Sequence, residues 1–166
     1  MSTVSTKQNV NVIYGKPATG KSVIVRKLVK EEGGYSFSYK NRIVPEFCNK
    51  EHISKLYTFL SGKKLPSEFS AFFDDNLDNV HFDISAIALL QFCYELSSIV
   101  NMEEPFKLLI FDGVPSTFDD EVLSKLLFII EYLKDNGYTI YFVTSKLSRL
   151  EMFKNRFKDE LGEILT

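Results

Sequence analysis

The chain has 166 residues, 45% of them apolar, and 20 Lys plus Arg against 22 Asp plus Glu, for a formal charge of -2. At about 150 residues per domain that predicts a single domain over 1–166, with a core that needs no disulfide or metal and no room for a multidomain machine. No apolar run approaches the ~18 residues of a membrane span, and near-neutral charge argues against nucleic-acid binding through a global basic field.

In chain order, Asn9–Tyr14 (NVNVIY) alternates and then turns apolar before a glycine, the pattern of a buried strand. Gly20 to about Glu32 has helical spacing, with Val23, Ile24, Leu28 and Val29 on one side, and Gly33-Gly34 stops it. Tyr35–Tyr39 reads as a second strand, and His52–Asn76 as two short helices broken at Gly62 and Pro66. Asp83 to about Val100 is apolar nearly all round, so that helix is expected either central in a core or covered by a partner. Lys107–Phe111 (KLLIF) is a short apolar strand ending at Asp112. Asp119–Asn136 is a helix closed by Gly137, Tyr138–Thr144 a strand, and Leu147–Leu161 a final amphipathic helix. Strands alternating with helices predict an α/β fold: a mostly parallel sheet with helices on both faces, and a helical, aromatic-rich insertion at about 41–80.

The chemistry concentrates in Gly15-Lys16-Pro17-Ala18-Thr19-Gly20-Lys21-Ser22, which satisfies GxxxxGK[ST] between an apolar strand and an amphipathic helix. Such a loop wraps its N–H groups around a phosphate, and its glycines allow close approach and positive φ. The following helix points its N-terminus at the anion. Lys21 is expected to reach the β- and γ-phosphates of a nucleotide and Ser22 to ligate Mg²⁺. A carboxylate ending another buried strand should complete the metal site, and Asp112 is the candidate. Asp119, Asp120 and Glu121 read more simply as the acidic first turn of the next helix. The expected site is therefore Gly15–Ser22 for ATP or another NTP, with Ser22 and Asp112 for Mg²⁺ and Lys21 and Asp112 as the chemical groups.

From Asp112 to Ser145 the chain resembles the second half of an ABC- or SMC-type ATPase head. In that superfamily an apolar strand ends in Asp-Glu, a Leu-Asp pair follows, then a helix and a strand ending Thr-His. Here DGVPSTFDDE carries Phe118-Asp119 at the Leu-Asp position, and Thr144-Ser145 replaces Thr-His at an offset of 33 from Asp112 (145 minus 112). Ala86–Leu96 resembles the helix after the signature sequence, which puts Leu77-Asp78-Asn79-Val80-His81 in place of LSGGE. The resemblance implies a three-layer P-loop NTPase fold. It also marks departures: Gly113 for the catalytic Glu, Ser145 for the switch His, no signature Ser-Gly-Gly, and no Gln between the phosphate loop and Leu77. A general base is worth ~10²–10⁴ in rate, so hydrolysis is expected to be slow or dependent on a second copy or protein partner that completes the site.

DGVP also resembles the DGFPR of adenylate-kinase-like enzymes, with Ser116 where their Arg stands. After Tyr141 only Arg149 and Arg156 could supply cations, few for phosphoryl transfer between nucleotides. The leading expectation is a cytoplasmic Mg-ATP-binding NTPase used as a conformational or assembly switch. The alternatives are a small P-loop kinase, a non-enzymatic subunit with a vestigial site, and a DNA-translocating or packaging ATPase. Arg149 and Arg156 read as a solvated helix face or as arginine fingers toward a neighbouring subunit. His52 and His81 read as surface or capping residues, and Lys63-Lys64 is too short a basic run to indicate nucleic acid. Cys48 and Cys93, 45 positions apart (93 minus 48), read as buried free thiols. The polar N-terminus shows no signal peptide. Phe47, Tyr57, Phe59, Phe69, Phe72 and Phe73 fit a small helical core, with partner docking the alternative.

Overall fold

A computed structural model describes residues 8–37, 50–64, 84–115 and 117–166. The elements are β1 (Val10–Tyr14), α1 (Lys21–Glu32), β2 (Tyr35–Ser36), α2 (Lys50–Ser61), α3 (Ile84–Asn101), β3 (Leu108–Asp112), α4 (Asp120–Asp135), β4 (Thr139–Thr144), α5 (Leu147–Phe157) and β5 (Leu161–Leu165). All five strands are parallel, in the order β2-β3-β4-β1-β5. The described residues fall into two compact units, one of 8–37, 106–114 and 123–166, the other of 50–64, 84–105, 115 and 117–122.

The first unit holds the sheet. Its strands are apolar on both faces because helices cover both, as parallel sheets require. Alternate residues Ile13, Ile110, Tyr141, Val143 and Ile164 make one face, and α1 lays Val25 and Leu28 on it, with Ile24 beside them. The opposite parity carries Phe111 and Phe142, both fully buried. Phe153 of α5 packs on Phe142 with ring centroids 4.5 Å apart, and Leu123 and Leu127 of α4 line the same packing cleft. Phe37, just past β2, stacks on Phe111 at 4.7 Å. The expected strand at 35–39 is thus present as Tyr35–Ser36, and its continuation past Phe37 lies outside the described residues.

The last element differs from expectation. The helix predicted to reach Leu161 stops at Phe157, Lys158–Glu160 make one 3₁₀ turn, and Leu161–Leu165 runs beside β1. Leu161 stands four positions after Phe157 and extends the helical spacing of Leu150, Phe153 and Phe157, so local periodicity hides the switch. Pairing with β1 decides it. Two close approaches fix that pairing. A Cβ at Gly162 would stand 2.0 Å from Oδ1 of the buried Asn11, its partner in register, and a Cβ at Gly15 would stand 1.9 Å from Oγ1 of Thr166.

In the second unit α2 and α3 pack together. Ile53, Tyr57 and Leu60 form the buried stripe of α2 at i, i+4 and i+7 spacing. From Leu89 to Ile99 every residue of α3 but the half-buried Gln91 is buried, which places it in a core of this chain. Its polar residues turn inward with partners: the Ser98 hydroxyl donates to Tyr94 O at 2.9 Å, and Ser97 Oγ meets His52 Nδ1 at 2.9 Å and Asn101 Nδ2 at 3.2 Å. His52 is thus a half-buried link between two helices, not a surface or capping residue. Phe92 meets Phe118 edge-on at 5.9 Å. The second helix expected in 52–76 lies outside the described residues. Among them, no helix is long and apolar enough to cross a membrane.

Candidate functional site

β1 delivers Tyr14 to the carboxyl edge of the sheet, where Gly15 N–H donates to Thr144 O at 3.3 Å and the chain turns into the GKPATGKS loop. The left-handed residues are Ala18 (φ 65) and Gly20 (φ 96). Gly15 is not among them. It is glycine because Thr166 and Thr19 crowd the place where a Cβ would stand. Thr19 Oγ1 donates to Lys16 O at 2.6 Å, and α1 starts at Lys21 with the Val23 N–H on Gly20 O at 3.2 Å. Among the described residues, the N–H groups of residues 18–22 meet no acceptor. That is the array of donors an anion needs, at the positive end of a helix.

The Lys21 ammonium closes the loop, donating to Gly15 O and, at 2.8 Å, to Lys16 O. An ammonium has three donors, so one remains for a ligand oxygen. Lys16 is exposed, as is Ser22 in the first turn of α1. Asp112 ends β3 half-buried, and burial raises its carboxyl above the usual carboxylate range while the Lys21 charge pulls it back. The two groups therefore share one electrostatic environment. β4 runs between β1 and β3, so the strand ends bearing the loop and the carboxylate are roughly 10 Å apart. At the end of β4, Thr144 Oγ1 accepts the Lys146 N–H at 3.0 Å and Ser145 is exposed.

Gly113 follows Asp112 with φ 71, and a Cβ there would meet nothing within 4 Å. Space would admit a side chain at 113, but the left-handed backbone disfavours any L residue there. Two carboxylates considered with it have local roles: Asp119 Oδ1 accepts the Val122 N–H at 2.9 Å as the cap of α4, and Glu121 lies in the first turn. Among the described residues no three His, Cys, Asp or Glu cluster as a metal cage. One hydroxyl and one carboxylate are nevertheless a sufficient protein share for Mg²⁺, which keeps waters and takes phosphate oxygens.

Arg149 corrects both of its expected readings, whereas Arg156 stands on an exposed helix face as the solvated-face reading expects. Arg149 is buried, neither on a solvated face nor presented as a finger, and its Nη1 donates to Val114 O at 3.2 Å. Arg156 Nε pairs with Glu131 at 3.0 Å. Cys93 is buried with its thiol pushed far up by desolvation. Tyr57 is buried and Phe59 partly exposed. Cys48, Phe47, Phe69, Phe72, Phe73 and the segment from Leu77 to His81 lie outside the described residues. The residue that sequence reasoning missed is Thr166, whose hydroxyl lies 2.7 Å from Thr19 Oγ1. Its only signal was the short LGEIL run that precedes it. No protein-family model matches the chain, and no match to it is found among curated proteins.

Proposed function

We propose that the chain binds a magnesium nucleoside triphosphate at Gly15–Ser22 and uses it as a conformational or assembly switch, with slow or partner-dependent hydrolysis. The observation that carries this reading is the unpartnered N–H array of residues 18–22 on a left-handed turn, beside the Lys21 ammonium. In this reading the loop N–H groups hold the phosphate oxygens, the third donor of Lys21 adds a charged contact, and Ser22 and Asp112 hold the metal's hydrated shell. Bound Mg²⁺ supplies charge neutralisation on the phosphates. The half-buried carboxyl of Asp112 loses part of its desolvation cost when a cation arrives, which favours binding of metal and nucleotide together.

The P-loop NTPase fold, and within it the ABC- or SMC-type resemblance, belong to the same proposal. The all-parallel sheet is compatible with both. With Gly113 at the base position no side chain there can orient a water, which supports a switch over a fast enzyme. The kinase alternative is weakened by Arg149, spent on Val114 O, and by Arg156, paired with Glu131. Calorimetric titration with Mg-ATP and Mg-GTP tests the reading on the intact chain and on Lys21→Ala. A charge-assisted hydrogen bond is worth about 1.5–3 kcal/mol, so the variant should lose about a hundredfold in affinity. Unchanged affinity overturns the assignment.

A further inference from the structure

We propose that Thr166, past the end of β5, is a positioning residue that holds the phosphate loop in its donor-presenting shape, so that phosphate binding and docking of β5 favour each other. The inference rests on the phosphate-binding reading of the loop. Three observations carry it. The Thr166 N–H donates to Tyr14 O at 2.9 Å, continuing the β1–β5 ladder to the edge of the loop. Next, the Thr19 hydroxyl has one proton, and it goes to Lys16 O at 2.6 Å. The Thr166 hydroxyl has two acceptors in reach, Thr19 Oγ1 at 2.7 Å and Tyr14 O at 3.4 Å, and with the Thr19 proton on Lys16 O the shorter contact takes Thr166 as donor. Finally, Gly15 leaves no room for a side chain under Thr166, so the loop and the strand end are built against each other.

A relay results, from the Thr166 hydroxyl to Thr19 and on to Lys16 O, the carbonyl that the Lys21 ammonium also engages. Ala18, immediately before Thr19, sits at φ 65, where an L side chain is disfavoured unless its neighbours hold it. The relay supplies that hold from a strand 147 positions away. If the loop must keep this shape to bind phosphate, ligand binding stabilises the β5 contact by the same factor that the contact strengthens binding.

The test uses Thr166→Val, which removes the hydroxyl at nearly constant shape, Thr166→Ser, which keeps it, and Thr19→Val. Amide hydrogen exchange at residues 16–22 is measured without ligand, and Mg-ATP affinity by titration. Thr166→Val should speed loop exchange and weaken binding about two- to tenfold, the range of one neutral hydrogen bond, and Thr166→Ser should restore both. Thr19→Val combined with Thr166→Val should cost no more than Thr19→Val alone, because the Thr19 hydroxyl takes part in both bonds of the relay. Unchanged loop exchange and affinity in Thr166→Val, or additive losses in the double variant, overturn the proposal. If the unaltered chain binds no Mg-ATP while Thr166→Val still loosens the loop, the nucleotide reading fails and the coupling to phosphate fails with it, whereas the relay stands as a structural contact.

Discussion

α1 and α3, helices of 12 and 18 residues, treat their polar groups in opposite ways. α1 fully buries only Val25 and Leu28 and presents its polar N-terminus, with Lys21 and Ser22, at the sheet edge. α3 from Leu89 to Ile99 is buried at all but Gln91 and pairs its serines, Ser98 with Tyr94 O and Ser97 with Asn101 and His52. Chemistry needs donors left unpaired and reachable, whereas stability needs polar groups paired and apolar ones removed from water. A helix that meets one demand on a given face cannot meet the other there. The chain keeps the two arrangements on separate helices.

The sharpest way to break this contrast is Leu90→Ala in α3. A fully buried Leu leaves a cavity costing about 2–5 kcal/mol, read by urea denaturation, and a loss below 1 kcal/mol would remove α3 from the core. Asp112→Asn sharpens the other side of the contrast. It should abolish the magnesium dependence of nucleotide binding yet leave the ligand-free fold slightly more stable at neutral pH. The sign follows from burial, which raises the folded-state pKa of Asp112 above the unfolded value. The folded chain then binds the proton more tightly, so this residue costs stability as pH rises through that window. Thermal unfolding of both proteins at acid and neutral pH should show the gap closing on acidification.

The smallest effect belongs to His52. Burial, with Lys55 adding to it, lowers its pKa below the ordinary histidine value of about 6.5. The folded chain holds this proton less tightly, so stability should fall as pH drops below that value and recover as it rises. His52→Gln should flatten the urea midpoint between pH 7.5 and 5.5. Equal pH dependence in both proteins would mean that the link to Ser97 does not depend on the charge state.

Element types were legible where the determinant is local. NVNVIY, KLLIF and YTIYFVT are apolar runs of strand length bounded by glycine, aspartate or serine, and each is a strand within a residue or two of its expected bounds. The all-round apolarity of 83–100 pointed to deep burial, but only the fold chose between a core of the chain and a partner. Arg149 was unreadable because its fate depends on Val114 O, 35 positions earlier, which the sequence does not place beside it. β5 was hidden for the same reason, and with it Thr166.

The loop motif, the strand-end Asp112 and the glycine that follows it at 113 are all in the sequence itself, because each depends on residue type at a fixed spacing along the chain. The order β2-β3-β4-β1-β5, the pairing that turns Leu161–Leu165 into a strand, and the arrival of Thr166 against Thr19 were decided only in three dimensions. A parallel strand has no local partner. Its register is set by contacts from the far end of the chain, here by Gly162 over Asn11 and by Thr166 over Gly15.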